Sequence, residues 1–247
     1  MERNESFETS SLNDLAVHLA WAQVEIFADE IERVQVLVAG DENSVRDLRI
    51  AVEEDVLRVE QPQYGISLSL MDSHWMQVCV RVPIGWTQKI HVNTISGPLT
   101  ARALNGSRIV LDAVSGDVRA NRLTAKEISI KTVLGDIRAD TLQADSLSVR
   151  TVNGNVTLDD VQTQTYRCTT VSGEQKMRLR GGFTLLDMRS VSGDVVLMTE
   201  VKRLNVSIRS LSGRVSTEGV ELTEDRDAPS VRVTGVSADL KVICATT

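Results

Sequence analysis

Aromatic residues are scarce in this chain of 247 residues, where Phe, Trp and Tyr together make up only 3%. Hydrophobic residues nevertheless reach 42%, so Val, Leu, Ile and Ala must fill the interior. This composition suits a narrow, regular interior better than a large globular one. It also argues against a sugar-binding groove, because such grooves commonly use aromatic rings for stacking.

Cysteine and histidine are equally rare, with three of each. The cysteines are too few and too widely spaced for a disulfide framework, and no Cys-x-x-Cys pair suggests zinc. We expect Cys168 to be a small hydrophobic core residue. The histidines lie far apart in sequence, so the pattern predicts no metal site. The three histidines are His18, His74 and His91.

No catalytic motif is present: a nucleophile elbow, a phosphate-binding glycine loop and a dinucleotide fingerprint are all missing. The adjacent carboxylates Asp159 and Asp160 are interpreted as part of a solvated turn. A net charge of −7, without basic runs interleaved with aromatics, makes nucleic acid a poor partner. The sequence therefore predicts a protein that is not an enzyme and needs no cofactor or metal.

The sequence also lacks a long hydrophobic run. Leu15 to Ala28 is the longest apolar stretch, and His18, Gln23 and Glu25 interrupt it. Such a stretch cannot span a bilayer. The first residues have neither the basic nor the apolar region of a secretion signal. We therefore expect a cytoplasmic location without direct membrane insertion, and leave surface association open.

What the sequence does contain is a glycine that recurs every 19 or 20 residues. A fixed period of this size is typical of a repeat architecture. Ser or Asn precedes the glycine in most repeats, as suits a turn. The recurring glycines are Gly97, Gly116, Gly135, Gly154, Gly173, Gly193 and Gly213.

Apolar residues recur at fixed distances from each glycine and alternate with polar ones, which is strand periodicity. Short strands joined at a glycine corner can bury an apolar face only when successive coils stack. The sequence thus predicts an all-β fold, a single-stranded parallel β-solenoid with coils of 19–20 residues. Val133, Val152 and Val191, each two residues before a glycine, are predicted to share a buried column. Corner glycines such as Gly154 are expected to have positive φ.

Two polar columns are predicted to face outward and to form a candidate interaction face. Flat repeated arrays of this kind favour an extended partner. The basic column contains Lys131, Arg150, Arg189 and Arg209, and the hydroxyl column contains Thr132, Thr151 and Thr170. A third column, mostly acidic, follows the glycines and includes Asp117, Asp136, Glu174 and Asp194. The alternatives are a self-compensating solvated face, a cation site on the acidic column, and an ice-binding surface on the Thr column. Another alternative for partner binding is the N-terminal cap, near Trp21, Trp75 and Trp86.

The two ends depart from the repeat. Residues 1–88 are predicted to form irregular strand-rich coils that cap one end, with a looser excursion from Pro62 to Trp75. Residues 89–220 form the regular coils, and residues 221–247 form a C-terminal cap. No linker rich in Ser and Gly separates these parts, so we expect one continuous domain. Gln175 and the glycines after it predict a local break near residues 174–183.

The repeats resemble a bacterial adhesin-like β-solenoid family of unknown function, the Toastrack domains. The likeness extends over roughly residues 6 to 245. Its strongest local matches are Val114-Ser115-Gly116-Asp117-Val118 and Val191-Ser192-Gly193-Asp194-Val195. The resemblance implies a β-solenoid without an established catalytic site. Some members of the family accompany membrane components of envelope-stress responses.

We therefore expect a non-enzymatic interaction scaffold, adhesin-like, with a protein partner and a link to envelope sensing. One alternative is a carbohydrate-active enzyme of the β-helix type, such as a polysaccharide lyase or hydrolase. The other is a structural rod that associates with itself, which would make the protein a homo-oligomer.

Overall fold

The computed structural model describes residues 1–62 and 75–244. These residues form a stack of parallel β-coils, so the predicted β-solenoid is confirmed. The predicted excursion from Pro62 to Trp75 falls almost wholly on residues 63–74, which lie outside the described residues. The strands are β1 Glu2–Glu8, β2 Asp14–Trp21, β3 Gln23–Asp29, β4 Arg33–Gly40, β5 Arg49–Glu53, β6 Val56–Glu60, β7 Met76–Pro83, β8 Lys89–Ser96, β9 Leu99–Ser115, β10 Val118–Lys131, β11 Ile137–Arg150, β12 Val156–Ser172, β13 Gln175–Leu179, β14 Leu185–Ser192, β15 Val195–Thr199, β16 Arg203–Ser210, β17 Val215–Glu218, β18 Glu221–Leu222, β19 Ser230–Ser237 and β20 Leu240–Cys244.

In the regular coils, each strand residue lies beside the equivalent residues of the preceding and following repeats. Ile128 of β10 lies beside Ile109 of β9 and Leu147 of β11, and every pairing among these long strands is parallel. The columns seven and five residues before each glycine, and two and four after it, supply most of the buried interior. Cys168 is fully buried there as expected, and burial raises the pKa of its thiol to about 12.

The N-terminal end is built by a chain segment that inserts into the stack. Strands β2 and β3 lie between the β6–β7 coil and the β8–β9 coil, in parallel with both. Antiparallel strands then cover the end: β4 pairs with β7, β1 pairs with β4, and β5 pairs with β6. A short helix, α1 (Glu42–Asp47), adds Val45 to the core. Among the described residues, antiparallel strands therefore cap this end of the stack.

The C-terminal segment also inserts, so the prediction that residues 221–247 form a cap is wrong for the strands. β19 lies between β14 and β16, and β20 lies between β15 and β17. The outermost coil therefore consists of β16 and β17, which come earlier in the chain. The segment Val236-Ser237-Ala238-Asp239-Leu240 repeats the corner motif with Ala in place of Gly, which explains its fit inside the stack.

The corner glycines are required by close stacking as well as by conformation. Gly154 has φ +157°, and five others among the recurring glycines are also positive, as predicted. A Cβ on Gly154 would collide with the carbonyl oxygen of Gly135 in the preceding coil. The corners that carry these glycines therefore leave no space for a side chain, which explains why glycine recurs there every 19 or 20 residues.

The column of valines predicted to be buried is exposed, and the column of threonines predicted to be exposed is buried. Val133, Val152 and Val191 are 38–49% exposed, so the predicted buried column is wrong. The residues one position earlier are buried instead, including Thr132, Thr151 and Thr170 at 2–3% exposure. The inward and outward alternation of side chains continues to the corner, even where β10 and β11 end one residue earlier, and it turns the position before each valine inward. An outward hydroxyl array for ice or partner binding is excluded by this burial.

The predicted break near residues 174–183 is visible where strand pairing stops between Leu179 and Leu185. The pairing of β12 with β13 also shifts register between Leu158 and Val161. Gln175 occupies an interior position beside Val156 and Val195. Its amide is buried, and both of its polar atoms lack a hydrogen-bond partner among the described residues.

Candidate functional site

The outward face of the strands that lead into the glycine corners carries two features that the fold brings together. The first is an aliphatic column, in which every side chain lies two residues before a corner and is 38–87% exposed. Its members follow the stack in the order Ile95, Val114, Val133, Val152, Val171, Val191, Val236 and Leu211. Val236 enters this column because β19 inserts between β14 and β16.

The second feature is a group of five arginines beside the C-terminal half of this column, which we call the arginine cluster. It consists of Arg150, Arg167, Arg189, Arg209 and Arg232.

The arginines of the cluster are arranged so that no two are direct cross-strand neighbours. Arg150, Arg189 and Arg209 share one row, where Thr169 and Thr234 separate them. Since neighbouring strands lie about 4.8 Å apart, arginines of this row repeat at about 9.6 Å. The next row holds Arg167 and Arg232, with Asp187 between them.

Asp187 is the centre of the cluster. Its side chain is only 5% exposed, and its Oδ2 lies 3.2 Å from Nη2 of Arg189 and 3.6 Å from Nε of Arg167. Its Oδ1 has no hydrogen-bond partner among the described residues. The buried Asp187 side chain is thus paired with two arginines whose own side chains are 60% exposed.

The remaining three arginines carry uncompensated charge. Arg150, Arg209 and Arg232 are exposed, and none forms an ion pair with any residue that the structure describes. Five arginines and one aspartate give this face a net charge of about +4, on a chain whose total is −7. Lys131, which the sequence placed in the same column, is half-buried and lies 3.4 Å from Asp112, which neutralises it.

The repeat pattern predicts only part of this site. Arg150, Arg189 and Arg209 are exposed as expected, but the pattern does not predict Arg167, Arg232 or Val236. Arg167 lies two residues before the basic column on its strand. Arg232 and Val236 belong to the inserted coil, whose corner residue is Ala238, so the period of the corner glycines does not reveal it.

The acidic column after each glycine has a structural role. Oδ1 of Asp117 accepts a hydrogen bond from the backbone N–H of Asp136 at 3.1 Å, and Oδ1 of Asp136 accepts one from Asn155 at 2.9 Å. Each side chain thus caps the next coil. Across the part of the chain that the structure describes, no group of His, Cys, Asp or Glu could hold a metal ion.

A polar groove crosses another side of the coils and has a volume of about 410 Å³. Asn105, Gln143 and Gln162 line it, and Asp145 supplies the carboxylate. An acid–base pair for cleaving a glycosidic bond needs two carboxyl groups flanking it. The pair Asp159 and Asp160 lies in strand β12 and not in a turn as predicted, and Asp160 forms an ion pair with Arg180.

Insertion of β2 also brings together two histidines that are remote in sequence. The rings of His18 and His91 are 5.1 Å apart in an edge-to-face arrangement. Burial, followed by the charge of His91, lowers the pKa of His18. Burial opposes ionisation of Asp112 nearby, but His91, whose Nε2 lies 3.9 Å from Oδ2 of Asp112, and the charge of Lys131 outweigh it, so the pKa of Asp112 is lowered.

Comparison with known proteins identifies the family. The family profile named Toastrack DUF4097 matches residues 12–242. The chain belongs to this family. A search of curated sequences found no match. No helix within the described residues is long and apolar enough to cross a membrane.

Solved structures share the fold of this Toastrack chain at low sequence identity. A candidate adhesin from Bacteroides fragilis is 12% identical with a TM-score of 0.60, covering 98% of this chain and 97% of the other. A candidate adhesin from Parabacteroides distasonis is 13% identical with a TM-score of 0.53 and the same coverages. A candidate lipid-binding protein from P. distasonis is 13% identical with a TM-score of 0.50, covering 98% and 96%.

Proposed function

We propose that this Toastrack protein is a non-enzymatic, adhesin-like scaffold that binds an extended acidic segment of a partner protein. The observation that carries the proposal is the arginine cluster, a local charge of about +4 on an acidic chain. Three of its arginines have no ion-pair partner among the described residues. An uncompensated patch of this kind attracts a partner of opposite charge and accelerates its association.

The shape of the site favours an extended partner. The basic rows run across five stacked strands, so a bound segment lies along the solenoid axis and contacts several coils. The aliphatic column runs parallel to the rows and offers apolar contacts beside the charged ones. Single contacts with exposed arginines are weak, but contacts summed over successive coils give useful affinity.

The names of the structural neighbours agree with a binding role, since two of them are candidate adhesins. A place in envelope sensing is part of the same proposal and depends on the identity of the partner. The enzyme alternative has less support, because the polar groove holds one carboxylate, that of Asp145, among its described lining residues.

The test uses an acidic probe, a labelled poly-glutamate peptide, and measures its binding by fluorescence anisotropy. We expect the variant with Arg150→Ser, Arg189→Ser and Arg209→Ser to lose at least about tenfold in affinity, a change worth about 1.4 kcal/mol. Binding should weaken as salt increases. The matched control variant carries Ser at three other exposed arginines, Arg119, Arg138 and Arg178, which lie on strands that follow the corners. It should bind the peptide with the affinity of the parent protein.

Equal losses in both triple variants would show that only total charge matters and would contradict the site. A parallel measurement with anionic lipid vesicles separates a lipid partner from a protein partner. Vesicle binding that depends on the same three arginines, without peptide binding, would replace the proposed partner by a lipid surface.

A further inference from the structure

The two ends of the solenoid differ in how they are closed. At the N-terminal end, interior residues of the outer coils such as Leu57, Val59 and Val80 are fully buried beneath β1, β4 and β5. The covering strand β1 has the sequence ERNESFE, whose charges discourage further pairing. Among the described residues, these interior side chains are therefore covered at this end.

At the C-terminal end, the corresponding interior residues are open. Val206, Ile208 and Val215 occupy interior positions of the outermost coil, yet each is only half-buried. Leu222 is 51% exposed and lies on β18, a strand of two residues that pairs only with Arg203 and Leu204. The apolar interior of the stack therefore reaches solvent at this end.

The backbone of the outermost coil is open as well. β16 pairs with β19 on one side, and β17 pairs with β20 on one side, with no partner for their other edges among the described residues beyond β18. Asn205 donates inward to the carbonyl of Pro229, and Leu240 donates to the carbonyl of Arg214. Because alternate residues of a strand point to opposite sides, the peptide groups of Val206, Ile208, Ser210, Val215 and Thr217 point outward.

We propose that this C-terminal end docks against the same end of a second copy of the chain, forming a closed tail-to-tail dimer. A partner must satisfy two strand edges and cover the apolar interior between them, and a single extended peptide could satisfy only one edge. The same end of a second copy supplies both edges and an apolar interior. A twofold axis across the end reverses the strand direction, so the edges meet antiparallel.

The asymmetry of the two ends also sets the size of the assembly. At the N-terminal end the outer edges belong to β1, whose charges discourage pairing, and to β5, and the interior beneath them is covered, so head-to-tail addition of further copies meets no open apolar interior. Association therefore closes at two copies and does not continue into a filament. The dimer lies beyond the proposed partner binding and uses a different surface, but it would place two arginine clusters in one particle and so increase avidity.

The experiment measures the mass of the full chain in solution by sedimentation at concentrations up to about 100 µM, where a weak interface of standard size is populated. We expect a dimer. Val215→Lys places a charge at the open interior, and Thr217→Pro removes an outward N–H, so each variant should be monomeric. Val196→Lys is the matched control, since Val196 is half-buried on the outward side of β15 in mid-stack, and it should remain dimeric.

Hydrogen exchange locates the interface without depending on a variant that folds. Amides of β16 and β17 should exchange more slowly at high concentration than at low, while those of β1 and β5 should not change. A monomer throughout the concentration range would overturn the proposal. So would a dimer whose protection follows the aliphatic column instead of β16 and β17. Neither result affects the peptide-binding assay, which tests the proposed function by itself.

Discussion

Thr151 and Val152 are neighbours in sequence with opposite environments: Thr151 is 3% exposed and Val152 is 38% exposed. The polar side chain faces the interior, and the apolar one faces solvent. Alternation along a strand dictates this arrangement once Val149 is fixed in the core. The exposed aliphatic column is therefore a consequence of strand geometry and not of hydrophobicity.

The first prediction compares Val149→Asp with Val152→Asp. Val149 is fully buried, so Val149→Asp places an unpaired charge in the interior and should cost more than about 4 kcal/mol or prevent folding. Val152→Asp should change the free energy of unfolding by less than about 1 kcal/mol, because its side chain reaches solvent. Thermal unfolding of both variants checks this. Comparable losses would contradict the assigned orientation of the strand.

The amino-acid sequence predicted the elements that repeat. The columns containing Ile109, Ile128 and Leu147 were identified as core because stacking places the same residue type in the same environment in every coil. The corner glycines were predicted for the same reason. Repetition shows which positions are equivalent but not which side of the strand they face, and the predicted burial of Val133, Val152 and Val191 was therefore wrong.

The sequence could not show which coils become neighbours at the ends. Pairing of β2 with β8 and of β19 with β14 joins segments more than 40 residues apart, and no local pattern encodes that choice. Arg232 beside Asp187, and His18 beside His91, exist only because of these insertions. The candidate site was therefore only partly predicted: Arg232 and Val236 came from an inserted coil, whereas Arg167 lies on β12 outside the predicted basic column.

The second prediction concerns the corners. Gly154→Ala should destabilise the protein by several kcal/mol, since its Cβ would collide with the backbone of Gly135 at a positive φ. Gly182→Ala is the matched control, because Gly182 is exposed and has no atom within 4 Å of the added Cβ. Chemical denaturation measures both. A tolerated alanine at 154 would mean that successive corners are further apart than the structure shows.

The third prediction uses two buried threonines with different hydrogen bonding. Thr132 Oγ1 donates to the carbonyl of Gly116 at 3.1 Å, whereas Thr151 Oγ1 has no partner among the described residues. Thr132→Val should therefore cost about 1 kcal/mol through the lost hydrogen bond. Thr151→Val should be neutral or stabilising, because it removes an unpaired buried hydroxyl. Equal effects on the melting temperature would contradict this assignment.

The fourth prediction concerns the acidic column. Asp136→Ala removes the acceptor for the N–H of Asn155 and should cost about 1 kcal/mol. Asp159→Ala is the control, since Asp159 is exposed, and it should change stability by less than about 0.5 kcal/mol. Urea titration distinguishes them. If the column instead bound a cation, adding Ca²⁺ would stabilise the parent protein and not the Asp136→Ala variant.

The last prediction is a loss of stability as the pH falls from about 7 to about 5. Burial and His91 lower the pKa of His18 in the folded state below its unfolded value of 6.5. The unfolded chain therefore binds a proton first, and stability declines as the pH falls through the unfolded pKa. Asp112 affects stability only at lower pH. Its pKa is also lowered in the folded state, so the stability that its ionised form contributes is lost only as the pH falls below the unfolded value of 3.8. In the His18→Gln variant the melting temperature should fall less between pH 7 and pH 5, while the loss of stability at lower pH should remain. Melting temperatures measured across this pH range check both expectations. A parent protein whose stability is constant between pH 7 and pH 5, or a His18→Gln variant with an unchanged slope, would show that the His18–His91 pair does not govern this region.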